Sequence, residues 1–261
     1  MKPVAVFADS RCMRIECQAE TASLDERDRN RNRLVLVMPT MNSLNRNPLG
    51  FWSAASILLL TLLVSPLVAQ SERRSLFNGR DLDGWEHVGP GSFVVENGLL
   101  KTRGGMGLLW YTHEKIQRAT VRVIFRLTAK DADSGLFIRI PEKPTEPWMP
   151  VNRGYEAEIG DWPDEYSRAG VLYSFTQTQS HPLKPLGEWN TMEVTIDGPH
   201  TIIFVNGEKI TDFHEGDTVP DKKESSDPER GPRPDSGYIG LQNEPGPEVD
   251  FKEVSLLLLP K

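Results

Sequence analysis

The sequence predicts an all-β protein, a β-sandwich of jelly-roll type. Many short segments are rich in Val, Ile, Leu, Phe and Tyr, whereas no segment after residue 70 shows a long helical hydrophobic period. Two Asn-Gly dipeptides each separate a pair of such segments, as in tight hairpins. The 20 Pro and 21 Gly of the 261 residues suit turns better than helices. Strands this short and numerous bury their apolar faces by stacking into two sheets or by closing into a barrel, and we expect stacked sheets.

The elements follow one another as two hairpins and several separate strands. Asn97-Gly98 joins residues 92–96 to 99–102, and Asn206-Gly207 joins residues 201–205 to 208–210. Residues 120–127 alternate, with apolar side chains on one face and Arg122 and Arg126 on the other. Further strands are predicted at 108–111, 134–140, 155–159, 170–173, 192–196, 238–242 and 249–258. The stretches 142–152 and 215–236 are predicted to be loops, and the second is expected to be exposed and mobile.

The first 70 residues are predicted to lie outside this domain. Residues 41–70 resemble an export signal, because Arg46 precedes the short apolar core 54–64 and a possible cleavage region at 65–70. Residues 1–40 are then interpreted as a spurious or disordered extension, with translation starting at Met41 or Met38. The alternative is an uncleaved membrane anchor over residues 51–69. The expected organisation is a signal peptide followed by a single domain at 71–261, in a periplasmic or secreted protein.

Charge and cysteine content exclude several classes of function. The formal net charge is −7, so a nucleic-acid partner is not expected, because phosphate binding needs a basic surface. Cys12 and Cys17 are the only cysteines, and both precede the predicted domain. Neither a disulfide framework nor a Cys-based zinc site is therefore expected in that domain.

Several short motifs occur in one order along residues 75–258. The first is Ser75-Leu-Phe-Asn-Gly-Arg-Asp-Leu-Asp-Gly-Trp85. It is followed by Val95-Glu-Asn-Gly-Leu-Leu100, Asp133-Ser-Gly-Leu-Phe-Ile-Arg139, Gly154-Tyr-Glu-Ala-Glu-Ile159, Gly187-Glu-Trp-Asn190, Val205-Asn-Gly207 and Gly237-Tyr-Ile-Gly-Leu-Gln242. In content and order this series resembles the 3-keto-disaccharide hydrolase family. The resemblance implies a concanavalin-like jelly roll and cleavage of glycosides that carry a ketone at sugar carbon 3. It also implies a carbohydrate substrate, whose ketone an oxidoreductase acting upstream could supply.

The predicted strand 155–159 carries the candidate catalytic carboxylates. Alternation places Glu156 and Glu158 on one face, about 7 Å apart along the strand. Two carboxylates at this distance can divide the roles of acid and base, because their repulsion raises one pKa. Glu156 or Glu158 is the predicted general base. Arg139 is predicted to share a face with Gly135 and Phe137 and to stabilise the oxyanion, or else to form a structural ion pair.

No cofactor is indicated with certainty, but a divalent metal ion is an alternative oxyanion stabiliser. Glu158 and Asp161 are the candidate ligands, because clustered carboxylates favour hard cations. The run Glu156-Ala-Glu-Ile-Gly-Asp161 is also similar to the acidic signature of jelly-roll laminarinases and lichenases, which are retaining glycosidases. A non-catalytic, lectin-like carbohydrate-binding module is a further alternative. Residues predicted to contact substrate are Asp161, Trp162, Tyr173, Asn190, Gln242 and His113.

Overall fold

The computed structural model describes residues 72–260, and these form two stacked antiparallel sheets. The predicted β-sandwich is therefore confirmed. The expectations for residues 1–40 and 41–70 fall outside the described residues. Within residues 72–260, no helix is long and apolar enough to cross a lipid bilayer.

The first sheet has eight strands in the order β11-β10-β9-β6-β13-β4-β3, and β1 pairs with β13 beside this path. Its strands are β1 (Arg74–Ser75), β3 (Ser92–Glu96), β4 (Leu99–Arg103), β6 (Arg118–Leu127), β9 (Asn190–Asp197), β10 (His200–Val205), β11 (Glu208–His214) and β13 (Val249–Leu258). The second sheet has five strands in the order β2-β5-β12-β7-β8. They are β2 (Trp85–Val88), β5 (Gly107–Tyr111), β12 (Tyr238–Asn243), β7 (Ser134–Ile140) and β8 (Tyr155–Ile159).

The two sheets differ in how much of each strand is buried. In β6 the apolar side chains face the core, whereas Arg122 and Arg126 face outward and pair with Glu253 and Asp250. In β5, β7 and β8 every residue is buried. The outer face of the second sheet is covered by the short helix α1 (Met149–Arg153), which packs on a second apolar cluster containing Phe137. This cover gives the second sheet a sheltered outer face on which a cleft can form.

Three expectations about local structure are corrected. Residues 170–173 are not a regular strand; they run beside β8, where the Tyr173 amide donates to the Glu156 carbonyl at 2.9 Å. Residues 149–153 form α1 inside a predicted loop. Residues 215–236 contain no strand or helix, but Arg233 is buried and donates to the Gly154 carbonyl at 2.8 Å. This loop is therefore packed against the sandwich rather than fully exposed.

Candidate functional site

A cleft of about 560 Å³ opens on the outer face of the second sheet. Its floor is built from β8, β12 and Asp133, which directly precedes β7, and its walls come from α1 and the loops around residues 163 and 226. The lining residues are Asp133, Trp148, Val151, Glu156, Glu158, Trp162, Pro163, Asp164, Ser167, Tyr173, Ser226, Gln242 and Glu244. The cleft is large enough for a sugar ring and part of its substituent, and most of its charged groups are carboxylates.

Strand β8 places Glu156 and Glu158 together in this cleft. Tyr155, Ala157 and Ile159 belong to the core cluster between the sheets, so the two glutamates share the opposite face. The predicted face of both carboxylates is confirmed. Their catalytic role stays a prediction.

Two glycines make room for the carboxylates. Gly135 lies opposite Glu158 in the β7–β8 register, and a Cβ added to it would lie 2.6 Å from Cγ and 2.8 Å from Cδ of Glu156. A Cβ added to Gly160 would lie 2.9 Å from Oε1 of Glu158 and 2.6 Å from Cδ1 of Trp162. Any larger residue at these positions would displace the acidic side chains.

Both carboxylates are buried and incompletely hydrogen-bonded. Glu156 is 6% exposed and Glu158 is 4% exposed, and the Oε1 atom of each has no hydrogen-bond partner. Burial raises the pKa of each well above its ordinary value, and the nearby charge of Asp133 raises both further. A carboxyl group in this state can hold a proton nearer to neutral pH and release it to a substrate.

Asp133 and Glu244 complete the acidic group, and neither was singled out from the sequence. Burial raises the pKa of Asp133, while hydrogen bonds with Glu158 and Trp162 act in the opposite direction. Burial and the charge of Asp133 raise the pKa of Glu244 to about 7. Asp133 is the first residue of the motif Asp133–Arg139 and directly precedes β7. This position beside a predicted strand could have marked Asp133 as a candidate site residue. Glu244 follows the end of β12 and gave no comparable signal.

Neutral polar and aromatic groups surround the carboxylates. Tyr173 and Gln242, both predicted to contact substrate, line the cleft, and burial together with the charge of Asp227 raises the pKa of Tyr173 to about 12. Its hydroxyl therefore remains a neutral hydrogen-bond donor at neutral pH. Trp162, another predicted substrate contact, also lines the cleft. Trp148 was not singled out from the sequence, and it lines the cleft with half of its surface exposed.

The structure places Arg139 away from these carboxylates, so its predicted face is wrong. The β7–β12 register shifts between Tyr238 and Gly240, and Arg139 adopts a φ of 57° at this bulge. The side chain then turns to the β9–β10 connection of the other sheet. Arg139 is fully buried and donates to the Gly198 carbonyl at 2.6 Å, the Pro234 carbonyl at 3.0 Å and the Thr201 hydroxyl at 3.2 Å. Its Nη1 also lies 3.7 Å from Oδ1 of Asp235, so Arg139 forms the structural ion pair that the sequence left open as the alternative.

Asp161 and Asn190 lie at a different recess of about 220 Å³, which also includes Lys130 and Lys184. Asp161 therefore does not join Glu158, and the predicted metal-ligand pair is not assembled. The similarity to the laminarinase signature fails for the same reason, because its third acidic position lies outside the cleft. Asn190 accepts from the Lys184 amide at 2.9 Å and so stabilises a loop.

His113 also lies outside the cleft. Its Nδ1 is 3.3 Å from the hydroxyl of Tyr111, and an added Cβ on Gly84 would lie 3.2 Å from its ring. The predicted substrate contact of His113 is therefore not supported by its position.

The fold and the site together define a β-sandwich domain with a sheltered, carboxylate-rich cleft on one sheet. The chain belongs to the 3-keto-alpha-glucoside-1,2-lyase-like domain family, whose sequence model matches residues 72–257. This match confirms the resemblance found in the sequence motifs. No curated protein matches the chain.

Solved structures share the fold at low sequence identity. Two crystal structures of a "putative glycosyl hydrolase" from Parabacteroides distasonis are each 21% identical, with TM-scores of 0.59 and 0.57; each match covers 72% of this chain, and the matches cover 100% and 94% of those chains. A Bacillus subtilis protein of unknown function with a galectin-like fold is 14% identical, with a TM-score of 0.51 and coverage of 72% of this chain and 94% of that one. These likenesses establish the architecture.

Proposed function

We propose that this chain is a carbohydrate-active enzyme that cleaves glycosides oxidised to a ketone at sugar carbon 3. Family membership supports the substrate class, and the cleft supports catalysis. The observation that carries the proposal is the pair Glu156 and Glu158, two buried residues that line one sugar-sized cleft and that each have an Oε1 atom without a hydrogen-bond partner. The upstream oxidation would be supplied by a separate oxidoreductase.

The proposed reaction begins with removal of a proton from carbon 2, which the neighbouring ketone makes acidic. The carboxylate of Glu156 takes this proton, and the electron pair of the C2–H bond forms an enolate with its charge on the keto oxygen. The C1–O bond then breaks, a C1=C2 double bond forms, and the leaving oxygen takes a proton from Glu158. Addition of water across this double bond completes a hydrolysis. Release of the unsaturated sugar without addition of water completes an elimination instead.

The hydrogen bond between Glu158 and Asp133 supports this division of roles. Burial raises the pKa of Glu158 well above its ordinary value, and both the charge of Asp133 and this hydrogen bond raise it further, so Glu158 is assigned the role of acid. Glu158 is thus the proposed general acid, and Glu156 is the proposed general base.

The developing charge on the keto oxygen needs a hydrogen-bond donor in place of Arg139. Tyr173 and Gln242 both line the cleft, and each carries a neutral donor group. Trp162 and Trp148 offer apolar surfaces on which a sugar ring can stack. The same two tryptophans favour the second candidate, a lectin-like module that binds sugar without cleaving it.

Turnover of a purified 3-keto-glycoside distinguishes the two candidates. We expect cleavage by the wild-type protein, with kcat falling about 10²–10⁴-fold in Glu156→Gln and in Glu158→Gln. The matched control is Glu188→Gln, because Glu188 is exposed and lies outside the cleft. Parallel assays with a chelator test the divalent-metal alternative. Sugar binding without turnover in the wild type would overturn the enzymatic proposal in favour of the lectin.

Export to the periplasm or the cell exterior is part of the proposal, on the signal-like pattern of residues 41–70. N-terminal sequencing of protein recovered from the producing cell tests it. A mature chain that starts near residue 71 is expected, and one that starts at Met1 would contradict it.

A further inference from the structure

A cluster of two histidines and one aspartate lies on the first sheet, away from the cleft. His200 on β10 is paired directly with His214 on β11, and Asp212 lies two residues before His214. Thr201 and Phe213 of the same strands are buried, so alternation turns the three cluster residues to the outer face. None of the three lines the cleft described above.

The side chains of this cluster are already close together. The imidazole rings of His200 and His214 stack with their centroids 3.8 Å apart and an interplanar angle of 11°. Nε2 of His200 is 2.7 Å from Oδ1 of Asp212, while Oδ2 of Asp212 accepts from Nζ of Lys209 at 2.7 Å. One donor atom from each of the three residues lies within 4.8 Å of the others.

We propose that His200, Asp212 and His214 form a binding site for a borderline divalent transition metal ion such as Zn²⁺. Two imidazoles and one carboxylate are a ligand set that suits Zn²⁺, Cu²⁺ or Ni²⁺ and does not suit Ca²⁺ or Mg²⁺. Bonds of about 2.0–2.2 Å place tetrahedral ligand atoms about 3.4 Å from one another. Donor atoms within 4.8 Å reach that spacing by small side-chain rotations.

The sheet supplies the preorganisation that such a site needs. The β10–β11 ladder fixes the backbone positions of His200 and His214, so only side-chain torsions must adjust. Lys209 donates a hydrogen bond to Oδ2 of Asp212, and this contact orients the carboxylate so that Oδ1 faces His200. Because Asp212 and His214 are exposed, the remaining coordination positions are open to water or to an external ligand.

Metal binding to the full-length, untagged protein tests this site with ZnCl₂ as the probe. Calorimetric titration is expected to show one equivalent of bound Zn²⁺, with affinity at least about 10-fold weaker in His200→Gln and in His214→Gln. His113→Gln is the matched control, since His113 belongs to no metal-ligating group among the residues that the structure describes, and its variant should bind like the wild type. CaCl₂ in place of ZnCl₂ is expected to give no binding.

Electron paramagnetic resonance of the Cu²⁺-loaded protein gives an independent readout of the ligands. Coupling to two nitrogen ligands is expected in the wild type, and to one in either histidine variant. Asp212→Asn provides a third variant that keeps both imidazoles and should also weaken binding. Unchanged Zn²⁺ affinity in all three variants, no Zn²⁺ binding by the wild type, or equal binding of Ca²⁺ would overturn the proposal. Because cluster and cleft share no residue, these outcomes are independent of glycoside cleavage.

Discussion

Replacing Gly135 with alanine should lower the proposed glycoside-cleaving activity about 10²-fold without unfolding the protein. Gly135 lies on β7 beneath the side chain of Glu156, and its φ lies outside the left-handed region. Alanine is therefore compatible with the backbone at this position. The added methyl group meets only the flexible end of Glu156 among its three nearest atoms. The substitution thus moves the proposed base while leaving its charge and identity intact.

The size of this displacement follows from the structure. The new Cβ would lie 2.6 Å from Cγ of Glu156, whereas ordinary contact begins at 3.4 Å. Cγ must therefore retreat by about 0.8 Å, and the carboxylate beyond it by about 1 Å or more. A misplacement of about 1 Å can cost a catalysed reaction about 10²-fold. We expect kcat/KM of Gly135→Ala on a 3-keto-glycoside to fall by about that factor.

Gly105→Ala is the matched control for this experiment. Its φ is also outside the left-handed region, and its nearest neighbour would be Cγ of Pro90 at an ordinary 3.8 Å. Thermal unfolding of both variants should remain cooperative, and activity should fall only in Gly135→Ala. A folded Gly135→Ala variant with activity within about threefold of the wild type would refute the assignment of Glu156 as base, because the displaced carboxylate would then have no measurable effect on catalysis.

Three further substitutions test the electrostatics of the fold and the cleft. Arg139→Leu should lower the free energy of unfolding by about 3 kcal/mol or more in urea denaturation, because buried carbonyl acceptors lose a charged donor, while kcat per folded molecule stays unchanged. Glu244→Gln should raise the melting temperature more at pH 8.5 than at pH 5.5. The pKa of Glu244 is raised from 4.5 to about 7 in the folded protein. The wild type therefore loses stability as the pH rises from 4.5 to about 7, whereas a glutamine stays neutral throughout. Tyr173→Phe should lower kcat about 10²-fold in steady-state assays with little change in KM, because the oxyanion loses a donor.

Each of these three expectations has a contradicting result. An Arg139→Leu protein of normal stability with lost turnover would restore the predicted catalytic role of Arg139. A melting-temperature difference for Glu244→Gln that is the same at both pH values would show that Glu244 ionises normally in the folded protein. An unchanged kcat in Tyr173→Phe would assign the oxyanion contact to another group, with Gln242 next to be tested.

Alternation within single strands could be predicted from the sequence because it depends only on strand geometry. Strand β6 has the predicted inward and outward faces, and β8 turns Glu156 and Glu158 to the same side. Arg139 shows the limit of this reasoning, because one extra residue at a bulge reverses the faces beyond it. The bulge depends on how β12 pairs with β7, and this pairing joins residues about a hundred positions apart in the chain.

The rest of the site could not be predicted because it is assembled from loops. Asp133 precedes β7, Glu244 follows β12, and Trp148 precedes α1, so no strand period relates them to Glu156. Asp161 is only three residues from Glu158, yet it lies at another recess because β8 has ended at Ile159. Proximity in sequence indicates proximity in space only while the regular element continues.

The burial of several carboxylates in one cleft is itself a reason to favour catalysis over simple binding. Desolvation raises the pKa values of Glu156, Glu158, Asp133 and Glu244, the charge of Asp133 raises those of the three glutamates further, and at neutral pH these shifts oppose folding. A module that only holds a sugar can use aromatic surfaces and neutral hydrogen-bonding groups, which carry no such cost. Carboxyl groups whose pKa lies well above the ordinary range can keep or give up a proton close to neutral pH, as removal of a carbon-bound proton and protonation of a leaving oxygen require. The destabilising feature of the cleft is therefore the one that the proposed reaction uses.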